Sequence, residues 1–459
     1  MYQFDESILE VNRTKVIDML VSKFESGDKQ RLEKLQRYYE GNHDKTRNKR
    51  TAKGKPNNKV FNPFAALIVD TIQGYLTGQP IKYVSEDEKA LERILDVYYN
   101  NDEEELNSEI VKTMSVCGEA YEYVYINEDK EVEFVQLPVN ETILVYNNDL
   151  KAKPLMCVRY YKTNNALNQE VHYAEVYTKD KIEYYKGNAR ANLELVEEYD
   201  HVFGQVPVIH YKNNAEMMGD FEKIISLIDD YDRILSTDSD EHEAFRNAYL
   251  VIKGFGQMTE EAMNKVRNTG AFVLPVTNQN TSAAEISFVT KDLNTDAIQA
   301  HLEMVLENIH RFSQVPNFSD QKTGTSESGE AMKQKVWGFE QLTGKKERRV
   351  EQGLFERLRL VFKALNVLES FNADINTFSL RFARNLPTNV KEDIESLKNL
   401  GVTASNLGEE ALADVLSKIS IIQDPNKAAK DIKAEKEEEE EANVEESDEN
   451  IQNSLMIEK

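Results

Sequence analysis

The chain has 459 residues, of which 40% are hydrophobic and 30% charged, and its formal net charge is −25. This length exceeds one ordinary core and predicts about two to four structural regions. The acidity argues against a protein that binds DNA or anionic membranes over a broad surface, because neutralising phosphates requires clustered Lys and Arg.

Targeting and metal signals are absent from the sequence. No segment has the run of about eighteen apolar residues that predicts a membrane span, and the N-terminus lacks the apolar stretch of a signal peptide. Cys117 and Cys157 do not have metal-ligand spacing. Buried free thiols in a reducing compartment are the favoured interpretation.

The N-terminal part alternates helical patterns with a basic segment. Apolar residues at helical spacing predict one helix over residues 5–40, ending at Gly41. The basic segment, Lys45 to Lys59, carries seven Lys or Arg and no acid. It fits either a solvated loop or a loop that touches phosphate. Asn62 and Pro63 then open an apolar helix that reaches Leu76.

The hydrophobic period changes to two between Glu119 and Tyr211, which predicts a β-rich region of short strands. The predicted strands are 121–125, 131–138, 142–147, 155–162, 171–178, 181–186 and 206–212.

A long amphipathic helix is predicted next, with Asp220 as its N-cap. Its 3-4 spacing gives one apolar face: Phe221, Ile224, Ile228, Tyr231, Leu235, Asp238, His242, Phe245 and Tyr249. Asp238 and His242 interrupt this face, where an unpaired charge costs several kcal/mol. Either this part of the face is wet, or the two residues pair with each other or with another partner.

A small αββα insert and a second long helix follow. The insert is predicted as a helix over 260–268, strands over 271–276 and 285–290, and a helix over 295–312. A polar loop leads to a second long helix over 328–370, with a kink predicted near Gly344.

The C-terminal part is predicted to contain a short strand, small helices and an acidic tail. The strand covers 378–384 and the helices 389–423. Residues 431–459 hold twelve acids and three bases, a net charge of −9, which predicts disorder. The remaining −16 of the total lies on the body, so the acidity is not only a property of the tail.

A catalytic signature is lacking, since no phosphate-binding glycine motif, G-x-S-x-G elbow or H-E-x-x-H motif occurs. The best catalytic candidate is the set of ionisable residues on the first long helix: Asp229, Asp230, Asp232, Asp238, Asp240, Glu241, His242 and Glu243. A two-metal site needs converging carboxylates. Asp238 and His242 share one face and Asp229 and Asp232 another, so the set does not converge, and a polar patch in a subunit interface is the favoured interpretation.

Several segments, taken in order, resemble the portal proteins of tailed bacteriophages, the rings that join head to tail. The segments are RYYEGNH (37–43), VDTIQGYLTGQPIKY (69–83), GEAYEYVY (118–125), AEVYT (174–178), HVFGQVPVIHYKNN (201–214), GDFEKIISLIDDYD (219–232), FRNAYLVIKG (245–254), and SQVPNFSD with SGEAMK (313–333). Together they span roughly residues 37–340, about two-thirds of the chain. One departure is Asn317, where relatives often have Asp.

The resemblance implies an α+β, mainly α, fold that assembles as a ring. The implied regions are a helical and β-rich wing (1–215), a first stem helix (216–250), a clip (251–294), a second stem helix (295–315), a tunnel loop (316–328), a long kinked helix with a wing strand (329–388), a helical crown (389–430) and the acidic tail (431–459). A ring would explain the ionisable pair, since Asp238 and His242 could face a neighbouring subunit.

The resemblance also implies a structural function without catalysis or cofactors. The ring, of about twelve subunits, would form the DNA channel at one capsid vertex and act in genome packaging, head-to-tail joining and DNA ejection. Implied partners are double-stranded DNA, terminase, scaffold and major capsid proteins, and neck or adaptor proteins. The protein would be located in the virion, and in the host cytoplasm during assembly.

The implied tunnel loop would bring its tip against DNA. The tip residues are Asp320, Gln321, Lys322, Thr323 and Gly324. Two alternatives remain: a metal-dependent nucleic-acid enzyme using Asp238 and His242, and a cytosolic coiled-coil scaffold with an acidic tail.

Overall fold

The computed structural model describes residues 2–52, 55–245, 249–253, 285–289, 295–317 and 329–384, with short stretches at 260–261, 264, 408, 412, 416 and 428–434. Contacts divide the chain into two compact units, Met1–Asn385 and Leu386–Lys459. In the second unit, residues 428–434 are helical. This helix extends past residue 431, the expected start of the disordered tail.

The helices of the first unit fall in an N-terminal group and a group of three long helices. They are α1 (Arg13–Ser26), α2 (Asp28–Tyr39), α3 (Asp44–Arg47), α4 (Phe64–Thr77), α5 (Glu88–Asn100), α6 (Glu103–Cys117), α7 (Ile225–Phe245), α8 (Thr295–Ser313) and α9 (Gly329–Glu369). Among the described residues, no helix combines the length and apolarity needed to cross a membrane.

The strands form four sheets within the described residues. They are β1 (Tyr2–Gln3), β2 (Lys82–Ser85), β3 (Glu119–Ile126), β4 (Val132–Leu137), β5 (Thr142–Tyr146), β6 (Pro154–Asn164), β7 (Glu170–Tyr177), β8 (Lys181–Gly187), β9 (Glu194–Asp200), β10 (Val208–Lys212), β11 (Tyr249–Lys253), β12 (Glu285–Val289) and β13 (Phe378–Arg381). The sheet orders are β1-β5-β6-β7-β8-β9, β10-β3-β4, β11-β12 and β13-β2. Only β1 with β5 is a parallel pair in this part of the chain.

The structure confirms the seven strands predicted between residues 121 and 212 and the strand that begins at residue 378. It also contains the strands β1, β2, β9 and β11 and the helices α3, α5 and α6, which the sequence did not predict. All seven residues of β9 are exposed at the edge of the sheet, so this strand lacks the alternation of buried and exposed positions.

Two helix predictions are wrong in their bounds. The single helix over 5–40 is divided into a 3₁₀ turn, α1 and α2, because Asn12 caps α1 and Gly27 leaves the helical backbone region. Tyr249 belongs to β11 and not to the first long helix, whose described part ends at Phe245. The second long helix is confirmed within one residue at each end, and the predicted kink at Gly344 remains a prediction.

The long helix α9 packs closely on the small sheet. Gly353 has no side chain, and a Cβ there would lie 2.1 Å from the ring of Tyr211 on β10. The close approach brings the apolar face of α9 onto the core, where Leu354, Leu358 and Val361 are buried. A larger residue at position 353 would separate the helix from the sheet.

Arg357 lies in this contact, fully buried among polar groups. Its Nε donates to Glu122 Oε1 at 2.8 Å, and its Nη1 donates to Glu103 Oε1 at 3.1 Å and to Asn107 Oδ1 at 2.8 Å. Tyr211 donates to the other oxygen of Glu122 at 2.6 Å. Burial alone lowers the pKa of Arg357, but the two carboxylates outweigh it and hold that pKa well above its usual value.

Candidate functional site

The face of α7 that packs on the rest of the chain changes along the helix. Three predicted apolar positions are buried, namely Phe221, Ile224 and Ile228. Beyond Ile228 the buried positions are Asp232 and Ser236, whereas Tyr231 and Leu235 are only half-buried. From Ile228 onward the buried residues of α7 therefore recur every four residues, and not at alternating steps of three and four. These buried residues face the basic segment and the residues on either side of it.

Asp232 holds both ends of that segment. Its Oδ1 accepts from the backbone N of Asn62 at 3.0 Å and from the Asn62 amide at 2.8 Å. Its Oδ2 lies 2.5 Å from His43 Nδ1 and accepts from Thr46 Oγ1 at 3.3 Å. Asp232, His43 and Thr46 are buried. One carboxylate thus satisfies donors that come from both sides of the basic segment.

About two turns further along α7, Asp240 binds the basic segment at Lys49 and Asn58. Lys49 Nζ donates to Asp240 Oδ2 at 2.5 Å and to the carbonyl of Ser236 at 3.0 Å. The backbone N of Asn58 donates to Asp240 Oδ1 at 2.6 Å. Burial alone raises the pKa of Asp240, but the bonds from Lys49 and Asn58 hold it below its usual value. The basic segment is therefore packed on α7 at Lys49, and its contact with phosphate remains a prediction.

The acids of α7 have separate partners and do not converge. Asp229 accepts from the Tyr38 hydroxyl at 2.7 Å, and Asp230 pairs with Arg233 and lies 3.3 Å from His301 Nε2. Burial raises the pKa of Asp229. In the part of the chain that the structure describes, no group of three or more His, Cys, Asp or Glu is placed to hold a metal ion.

Asp238 and His242 lie next to each other, as their spacing predicts. His242 Nε2 is 3.6 Å from Asp238 Oδ2, with side chains 58% and 22% exposed. The other oxygen of Asp238 is buried and has no hydrogen-bond partner among the described residues. The pair is thus on the surface of the single chain, with one carboxylate oxygen unsatisfied.

The start of the polar loop is held by the end of α8. Ile309 is buried, and Gln314 adopts a positive φ of 60° that ends the helix. His310 Nδ1 lies 3.0 Å from the carbonyl O of Val315, and the backbone N of Val315 donates to Ser313 Oγ at 3.3 Å. The chain therefore leaves α8 in a fixed turn. The predicted tip, Asp320 to Gly324, lies outside the described residues.

The beginning of α7 is bound to the long helix α9. Lys346 Nζ lies 2.5 Å from Asp220 Oδ2 and also donates to Ser115 Oγ, and the side chains of Lys346 and Asp220 are almost completely buried. Burial lowers the pKa of Lys346. Asp220 is thus an ion-pair partner and not the predicted N-cap, because a 3₁₀ turn, Glu222–Ile224, precedes α7.

Comparison with known proteins gives one family over most of the chain. The family model described as phage portal protein, SPP1 Gp6-like, matches residues 24–442. The portal protein of Bacillus phage SPP1 is 25% identical over 393 residues, which cover 81% of this chain and 75% of that protein. The portal protein of Clostridium phage phiCD119 is 20% identical over 370 residues, or 76% of this chain and 80% of the relative.

Proposed function

The chain belongs to the SPP1 Gp6-like family of phage portal proteins, and we propose that about twelve copies of it assemble into a closed ring in the capsid. A portal protein is a structural component of the virion, located at a capsid vertex, where it forms the DNA channel for packaging, head-to-tail joining and ejection. The family is not enzymatic, and nothing supports the metal-dependent alternative.

The observation that carries the proposal is the family match over residues 24–442. The order of elements supports it. The two long helices α7 and α8 flank the antiparallel pair of β11 and β12, with Tyr249 opposite Val289. This order corresponds to stem, clip and stem, and we assign 216–250, 251–294 and 295–315 to these parts. Residues 1–215 are the proposed wing and 389–430 the proposed crown.

The proposed partners follow from the portal role. The ring passes double-stranded DNA and contacts terminase, scaffold and major capsid proteins, and neck or adaptor proteins. It is present in the host cytoplasm during assembly and in the virion afterwards. An acidic body suits this role because a basic lining would hold phosphates through counterion release and oppose sliding.

Asp238 and His242 are proposed to lie in the contact between neighbouring subunits. Asp238→Leu is expected to change the yield or stability of the ring, because it removes a carboxylate whose buried oxygen has no hydrogen-bond partner among the described residues. Thr237→Leu, at an exposed neighbouring position, is the matched control. Size-exclusion chromatography with light scattering measures the effect. Normal assembly of the Asp238 variant together with loss of a metal-dependent nuclease activity would support the enzymatic alternative instead.

The tip of the tunnel loop is proposed to face DNA in the channel. Thirteen polar-rich residues, 316–328, join two helices that a shorter loop could connect. Deleting Asp320 to Gly324 is expected to leave the ring intact and to lower DNA packaging or retention, measured as DNA-filled heads. Lys322→Glu is expected to have a smaller effect, since one phosphate contact is a small part of the total. Normal packaging by the deletion variant, or loss of the ring, would contradict the assignment.

A further inference from the structure

A broad groove of about 1350 Å³ separates the large sheet from the long helix α9. Its walls come from the β5–β6 and β7–β8 turns, from β10 and from α9. Six Lys or Arg residues line it: Lys151, Lys153, Lys179, Lys212, Arg349 and Arg359. The acids Glu6 and Glu356 also line it. Arg359 pairs with Glu356, whereas the other five make no ion pair with another described residue. Six cations against two acids give this groove a net positive charge in a protein with net charge −25, which indicates an anionic partner.

The local electrostatics support this interpretation. Lys212 is half-buried, with its Nζ 5.2 Å from the ring centre of Tyr146. Burial lowers the pKa of Lys212, and the charge of Arg349 lowers it further. A carboxylate in the groove would oppose both effects, because a nearby negative charge favours the charged form of Lys212.

The groove also has apolar walls, which favour a polypeptide over a nucleic acid. Leu9, Leu155 and Phe355 line it beside the basic residues. A phosphate backbone would use only the cations, whereas an amphipathic acidic helix would use the cations and the apolar walls. The occupant with the best chemical match is therefore an acidic helix that carries exposed apolar side chains.

Helix α5 presents that chemistry on the same chain. Its exposed residues include three acids, Glu88, Glu92 and Asp96, and one base, Lys89. Leu95 and Tyr99 on the exposed face are 44% and 86% exposed, whereas Ile94, Val97 and Tyr98 on the opposite face are buried. Tyrosine is enriched at the centres of protein interfaces. The single chain thus exposes two different surfaces whose charges and apolar areas complement each other.

We propose that the basic groove of one subunit receives helix α5 of the next subunit. Two unlike, complementary surfaces on one chain give a heterologous contact. Such contacts generate a closed ring when the rotation that relates neighbouring subunits completes a full turn after a whole number of copies. The inference rests on the proposed ring, and it assigns one of the contacts that would hold neighbouring subunits together.

Charge exchange between the two surfaces tests the proposal. Lys151→Glu with Lys153→Glu reverses the charge of the groove at two exposed turn positions. Glu92→Lys with Asp96→Lys reverses the charge on the exposed face of α5. Each double variant is expected to lower the ring fraction about tenfold or more, because like charges across an interface repel. The combined fourfold variant is expected to restore the ring. Lys15→Glu with Lys130→Glu, both exposed, is the control for the change in net charge.

Native mass spectrometry of the purified full-length chain, with melting temperatures to verify folding, gives the readout. Rings from either double variant at the parental level would overturn the contact, as would a fourfold variant that fails to recover. A parent chain that forms no ring would contradict the proposed function itself, so the two failures can be distinguished.

Discussion

Replacing Arg357 by Met is expected to destabilise the first unit by about 3–5 kcal/mol, because it leaves a buried carboxylate without its cation. Glu122 and Arg357 are both fully buried and 2.8 Å apart, so water cannot replace the lost partner. A shift of roughly 5 °C in the melting temperature follows from this cost in a unit of this size. Arg359→Ala is the matched control, since Arg359 is half-exposed and pairs with Glu356 three residues away. Its expected effect is below about 1 kcal/mol.

The pH dependence of the stability of the Arg357→Met variant shows whether the unpaired carboxylate of Glu122 causes the loss of stability. Burial raises the pKa of Glu122, and Arg357 opposes this shift. In the variant the opposing charge is gone, so the folded state binds a proton that the unfolded state releases above about pH 4.3. Stability is therefore expected to fall as the pH rises, and the defect should be smaller at pH 5.5 than at pH 8. A pH-independent defect, or a variant as stable as the parent, would contradict this account.

Replacing Asp232 by Ala is expected to release the basic segment from α7. The change leaves the backbone N of Asn62 and the side chains of His43 and Thr46 without their common acceptor, at a cost of about 3 kcal/mol or more. Because the segment between Lys45 and Lys59 is rich in Lys and Arg, trypsin should cleave it faster in the variant than in the parent.

Two further variants make this test specific. Asp232→Asn keeps the shape of the side chain and one acceptor oxygen. Trypsin should therefore cleave this variant at a rate between those of the parent and the Asp232→Ala variant. Asp230→Ala removes a more exposed acid on the same helix and should leave the rate unchanged. Equal cleavage of the Asp232→Ala variant and the parent would show that Asp232 does not hold the segment.

Local pattern predicted the β-rich region and the long helices well, but it missed α5 and α6, although α5 buries residues at helical spacing. The strands of the β-rich region alternate apolar and polar residues, and the long helix predicted over 328–370 is Gly329–Glu369 in the structure. The strand β9 was missed because its residues are all exposed. In the elements that were predicted, the spacing of apolar residues determines which face is buried, so this spacing predicts the type of element.

Partners from distant parts of the chain could not be predicted in the same way. Asp232 is buried because His43 and Asn62, more than 160 residues earlier, supply its donors. Arg357 lies among apolar residues of α9, but its partner Glu122 is on β3. A charge on an apolar helix face is a signal for such a network, although the spacing does not identify the partner. The ionisable pair on α7 was found because its two members are one turn apart.

Ring formation by the purified chain tests the central claim most directly. Native mass spectrometry with negative-stain microscopy, at micromolar concentration and over a range of salt, should show a closed ring of about twelve subunits around a hole close to the width of duplex DNA. Species from monomer to tetramer alone, under all of these conditions, would contradict the account.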